Sequence, residues 1–136
     1  MAIRETQKWD NRGNLAKYYS SGVEYAHSVW THPGFARGGS VTPYDKDVIV
    51  CLGKLLHITL NPNQAKEYQA RETFTIPEGT PSLAVALEDN FIFVNHRGVG
   101  ESVRNPILKE LKDKINSKEK DIEVILKEFG IIRTDR

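Results

Sequence analysis

Only one of the 136 residues is cysteine, and only one is methionine. Cys51 has no partner for an internal disulfide, which excludes a small oxidised scaffold. It sits in Val48-Ile49-Val50-Cys51-Leu52, a run that reads as a buried strand, so the expectation is a small buried hydrophobe rather than a reactive thiol. Long apolar runs are missing too. The stretches 48–53 and 91–94 fall far short of the roughly 20 residues that span a bilayer. Residues 1–10 have no apolar core and no small-residue cleavage site, so the chain reads as a soluble cytoplasmic protein without a signal peptide or membrane partner. Excess charge of one sign is also absent. Nineteen Lys and Arg against eighteen Asp and Glu leave a net charge of +1. That balance offers no broad basic surface for sequence-specific duplex DNA, and no helix-turn-helix spacing appears. The four histidines show no His-Glu-x-x-His pattern and have no second cysteine beside them, so neither a metal nor another cofactor is expected.

What is present fits one globular domain. Hydrophobic residues make up 39% and charged residues 27%, which places the chain outside the disordered and fibrous classes. Residues 1–13 read as a polar arm with Trp9 as an anchor, and residues 14–136 as a single domain. Leu15, Tyr18, Tyr19, Val23, Ala26, Val29 and Trp30 recur at helical spacing and predict a helix over 15–30, capped by Asn14 and ended by Pro33. Residues 32–40 read as a glycine loop. Strands follow over 47–60, with Gly53-Lys54 as a hairpin turn or as a bulge in one long strand, and again over 67–76. Residues 82–87 and 91–95 predict a hairpin joined at 88–90. Within it Leu83, Val85 and Leu87 alternate with the smaller Ser82, Ala84 and Ala86, so one face meets the core and the other is thinly covered. Asn105-Pro106 opens a helix, Ser117 caps a second, and Gly130 ends it. The expected class is α+β: an N-terminal helix, an antiparallel sheet of about five strands, and a C-terminal helical hairpin over 105–136 packed on one side.

Three stretches have residues suited to chemistry. Asn95–Asn105 joins a strand to a helix start. Gly98 and Gly100 let its backbone curl around a ligand oxygen, and Arg97 and Arg104 can pair with an anion. His96 can move a proton near neutral pH. In the loop 32–40, Arg37 stands among glycines beside Phe35. On the strand, His57 and Thr59 point to one face.

Together these residues support a small intracellular nucleotide- or phosphodiester-handling domain, whether catalytic or capture-only. In that reading His57 and His96 are the acid and base, and Arg37, Thr59, Arg97, Gly98, Gly100 and Arg104 bind a small anionic ligand or RNA. The second reading is a non-enzymatic interaction module: an inhibitor, an adaptor, or a subunit of a homo-oligomer or larger assembly such as a viral particle. Its support is the aromatic run Tyr18, Tyr19, Tyr25 and Trp30.

Overall fold

The computed structural model describes residues 4–9, 15–21 and 24–135, with side chains from residue 26 onward. Among these residues strands dominate. The first sheet contains β1 (Arg4–Trp9), β2 (Leu15–Ser21), β3 (Glu24–Thr31), β11 (Asn90–His96), β6 (Lys46–Leu52) and β9 (Thr73–Ile76), neighbours in that order. The second contains β13 (Ile132–Arg133), β8 (Gln64–Tyr68), β7 (Leu55–Thr59), β10 (Ser82–Ala86) and β4 (Ala36–Gly38). A short ribbon pairs β12 (Val103–Arg104) with β5 (Ser40–Val41). Pairing is antiparallel except between β13 and β8.

The α+β expectation is therefore overturned. Where a helix over 15–30 was predicted, β2 and β3 pair antiparallel with Ser21 opposite Glu24. The spacing of Leu15 to Trp30 suits a helix by number, but the run is rich in Tyr, Val and Trp, which favour a pleated surface. A second partner decides the matter: β3 pairs with β11 over seven positions, from Asn90–Thr31 to His96–Tyr25. Part of the expected arm, Arg4–Trp9, is the edge strand β1. The Asn14 cap and the side chain of Trp9 lie outside the described residues.

The expected hairpins also change meaning. Gly53 does turn the chain, at φ +74°, but β6 lies in the first sheet and β7 in the second. The 67–76 strand is two strands, β8 and β9, again on opposite sheets, and β10 and β11 part in the same way. Each of these turns carries the chain across a gap between sheets instead of folding it back on itself, so the two sheets face each other.

Two apolar layers result. Val29, Val48, Val50, Leu55, Ile76, Ile92 and Val94 fill the space between the sheets. Leu56, Ile58, Leu83 and Val85 lie on the outer face of the second sheet, against two helices, α1 (Pro106–Ser117) and α2 (Ile122–Glu128), which supply Leu108, Leu111, Ile115, Ile125 and Leu126. Hence β7 is buried on both faces, which explains its unbroken apolar run. Asn105 caps α1, its Oδ1 accepting from the Ile107 and Leu108 N–H groups at 3.0 and 3.1 Å. Ser117 closes α1, while Asp121 stands at the start of α2. Cys51, expected inside, is exposed: Val48 and Val50 take the inner face of β6, so Ile49 and Cys51 take the outer. Among the described residues no helix is long and apolar enough to cross a membrane.

Candidate functional site

The small residues of β10 decide where the site is. Leu83 and Val85 face the helices, so Ser82 and Ala84 face the other sheet and leave room there. The result is a cavity of about 460 Å³ between the sheets, within the usual range for small-molecule sites.

Register aligns its polar side chains. On the first sheet, Lys46 lies between His96 and Ile76, and Val94 separates His27 from Val48 one step inward. On the second, Ala84 lies between Arg37 and His57. Alternation then points Lys46, His96, His27, Arg37 and His57 into one space, and all five line the cavity. Among the described lining residues, the charged side chains are Arg37 and Lys46, and none is Asp or Glu.

The histidines differ in their partners. His27 Nδ1 is 2.7 Å from His96 Nε2, and His96 Nδ1 is 2.9 Å from the Tyr44 hydroxyl. Tyr44 is held from both sides. The Thr42 hydroxyl donates to the Tyr44 carbonyl at 2.8 Å. Across from it the 97–102 loop lies so close that a Cβ at Gly98 would strike the Tyr44 side chain, and one at Gly100 would strike Pro43. His57 is 8% exposed, packs its ring 4.6 Å from Phe74, and leaves Nε2 buried without a hydrogen-bond partner.

Burial and nearby cations keep these rings neutral. Burial first, then His96, Lys46 and Arg37, lower His27 to about 3. Burial and Lys46 lower His57 and His96 each to about 4. Lys46 itself is pushed below the usual lysine range by burial. Burial raises the Tyr44 phenol, which stays protonated. At neutral pH the site thus combines uncharged imidazoles and a phenol with two cations.

The predicted site residues divide between this cavity and the surface. His57, His96, Arg37 and Gly100 line it, and the glycine loops that contain Arg37 and Gly100 meet through the β5–β12 ribbon. Arg97 points outward and pairs with Asp47. Arg104 is exposed on β12. The Thr59 hydroxyl donates to the Pro62 carbonyl at 3.3 Å. Gly98 serves the close approach to Tyr44 and is not among the lining residues. Sequence reasoning missed His27, Tyr44 and Lys46. His27 was hidden by the helix assignment, since only the β3 register brings it to His96. Lys46 opens a strand in strict alternation with Val48 and Val50, a signal that was available.

Three imidazoles around one cavity raise the question of a metal. Two of them are bonded to each other, and among the described residues no three of His, Cys, Asp and Glu are placed to share an ion. This donor set does not fit a resident metal.

No protein-family model and no curated protein sequence matches the chain. Solved structures do match in fold. A deletion variant of oxalate decarboxylase from Bacillus subtilis superposes with a TM-score of 0.64 at 16% identity, covering 93% of this chain and 35% of that one, so this chain spans about a third of that enzyme. An RmlC-like cupin from Shewanella frigidimarina gives 0.60 at 13% identity, over 72% of this chain and 87% of that one. KdgF from a Halomonas species gives 0.57 at 18% identity, over 76% and 90%. These likenesses overturn the nucleotide- and phosphodiester-handling reading, which rested on Arg and His gathered at glycine loops, and the viral one. Two facing sheets around a polar cavity make this chain similar in fold to the cupins.

Proposed function

We propose that this chain binds a small organic carboxylate in the cavity between its sheets, as a cupin-type ligand-binding domain. The observation behind this reading is Lys46: it faces the cavity, and burial holds its ammonium below the usual lysine range. A cation that has lost part of its hydration is stabilised by an anion that replaces the lost water. Lys46 is a point charge felt by all three imidazoles. The neighbour that covers most of this chain is an oxalate decarboxylase, named for a small dicarboxylate, which agrees in ligand class.

The neutral imidazoles suit hydrogen bonding to such a ligand. His57 lines the cavity with a ring whose Nε2 has no hydrogen-bond partner. The apolar floor of Val48, Leu55, Ile92 and Val94 keeps the surrounding dielectric low and strengthens each charged contact.

Calorimetric titration with oxalate, malonate and succinate, and with their uncharged diamides, tests the reading. At least one carboxylate is expected to bind and its diamide not to. Lys46→Met is expected to weaken that carboxylate at least tenfold, about 1.4 kcal/mol, with the melting temperature unchanged or raised. Binding of diamide and carboxylate alike, or no heat from any of the three acids, overturns it.

A further inference from the structure

A carboxylate held at Lys46 answers one part of the cavity and leaves another unanswered. His57 lines the same space, is 8% exposed, and its Nε2 is buried with no hydrogen-bond partner. Buried polar groups in folded proteins nearly always have a partner, so an orphan on a cavity wall calls for one supplied from outside the chain.

The surroundings of the ring decide what that partner is. His57 packs 4.6 Å from Phe74 and 6.5 Å from Tyr68, and those two rings stack on each other at 4.3 Å. Leu55 stands two residues back on the same face of β7, and Ala84 pairs beside His57 on β10. A second carboxylate pressed against this apolar wall would lose its water without gaining a cation of its own. The ring is neutral at pH 7, since burial first and Lys46 second lower it to about 4. A neutral imidazole presents either an N–H or a lone pair at Nε2. A hydroxyl answers both: its oxygen accepts from the N–H, or its proton goes to the lone pair. A carboxylate answers only the N–H.

The spacing of the two groups suits one small molecule. Phe74, which packs on His57, pairs with Val48 on β6, and Lys46 is the next residue of that strand on the same face. One pleat, about 7 Å, therefore separates Lys46 from the point opposite His57. The Lys46 charge is felt at the His57 ring. A ligand of a few carbons bridges that offset.

We propose that the ligand is a hydroxycarboxylate, its carboxylate paired with Lys46 and its hydroxyl bonded to His57 Nε2. The proposal rests on the carboxylate reading above and adds the class of acid, with His57 as the residue that selects it.

Calorimetric titration at neutral pH of acids with and without the hydroxyl tests it: 2-hydroxymalonate against malonate, malate against succinate, and lactate against propionate. In at least one pair the hydroxy acid is expected to bind at least about tenfold more tightly. In His57→Leu that preference is expected to vanish while the parent acid binds as before. The wild-type comparison decides even if His57→Leu does not fold. Equal affinity within every pair overturns the hydroxyl assignment and leaves the carboxylate reading standing, whereas no heat from any of the six acids removes both. An undiminished preference in a folded His57→Leu variant overturns the assignment to His57.

Discussion

His57 is the residue whose environment least suits its chemistry. It sits in the row Arg37–Ala84–His57, is 92% removed from solvent by its 8% exposure, and has no partner for Nε2. A buried polar atom without a partner costs about 1–3 kcal/mol. Its folded pKa of about 4 lies below the ordinary 6.5. Between those values the folded ring stays neutral while the unfolded ring takes a proton. The unfolded state therefore binds more protons, and stability falls as pH falls from about 6.5 toward 4, by an amount on the order of 3 kcal/mol at full extent. Above 6.5 the ring contributes no slope. His57→Leu removes both the orphaned atom and the titration. Urea denaturation at pH 7 and pH 5 is expected to show the variant at least as stable as the parent at pH 7, and to show a shallower loss at pH 5. The remaining slope belongs to His27 and His96, whose pKa values are lowered in the same direction.

At the scale of elements, β4 is the piece that needs explaining. It is three residues long, lies at the edge of the second sheet, and carries Arg37 into the cavity. A strand this short at an edge is not held by sheet pairing alone. Helix α1 supplies the second partner. The Asn116 side chain accepts from the Ala36 N–H at 2.7 Å and donates to the Ala36 carbonyl at 3.4 Å, in the manner of a neighbouring strand. Lys112 donates to the Gly38 carbonyl at 3.1 Å, and the Asn105 N–H bonds to the Gly39 carbonyl at 3.3 Å. Asn116→Ala leaves the buried Ala36 N–H unmet and is expected to cost about 1–3 kcal/mol. Amide exchange at Ala36 and Gly38 should accelerate more than exchange in β7, and unchanged protection at Ala36 would contradict this role. The same elements show what the chain reveals before folding. Asn105-Pro106 and Gly130 marked the ends of the helical segment because capping is local chemistry. The alternation in β10 was legible for the same reason. Whether a turn folds back or crosses to a facing sheet is decided by partners far along the chain, such as β11 for β6, and Gly53 looks alike in either case. Two crossings read as hairpins and a third read as one continuous strand were enough to hide the facing sheets, and with them the meeting of His27, His57 and His96.

For the molecule as a whole, the second sheet separates two spaces packed to different standards. Outside it, helices and sheet meet in a closed core where Leu56, Ile58, Leu108 and Leu111 are each fully buried. Inside it, Ser82 and Ala84 leave open volume between the sheets. A single kind of substitution therefore has opposite outcomes on the two sides. Ala65, on β8, is fully buried in the outer core, and Ala65→Leu must push apart neighbours already in contact, at a cost of about 1–3 kcal/mol. Ala84, on β10, faces the cavity between Arg37 and His57, and Ala84→Leu adds its methyl groups to empty space, burying apolar surface without strain. Denaturant titration should find Ala84→Leu within about 1 kcal/mol of the parent or above it, and Ala65→Leu clearly below. Calorimetry should find the reverse order for carboxylate binding, lost in Ala84→Leu because the leucine occupies the ligand's space, and kept in Ala65→Leu at a temperature where that variant is folded. Equal stability losses in the two variants would mean that the space between the sheets is as closely packed as the outer core, and that the carboxylate site lies elsewhere.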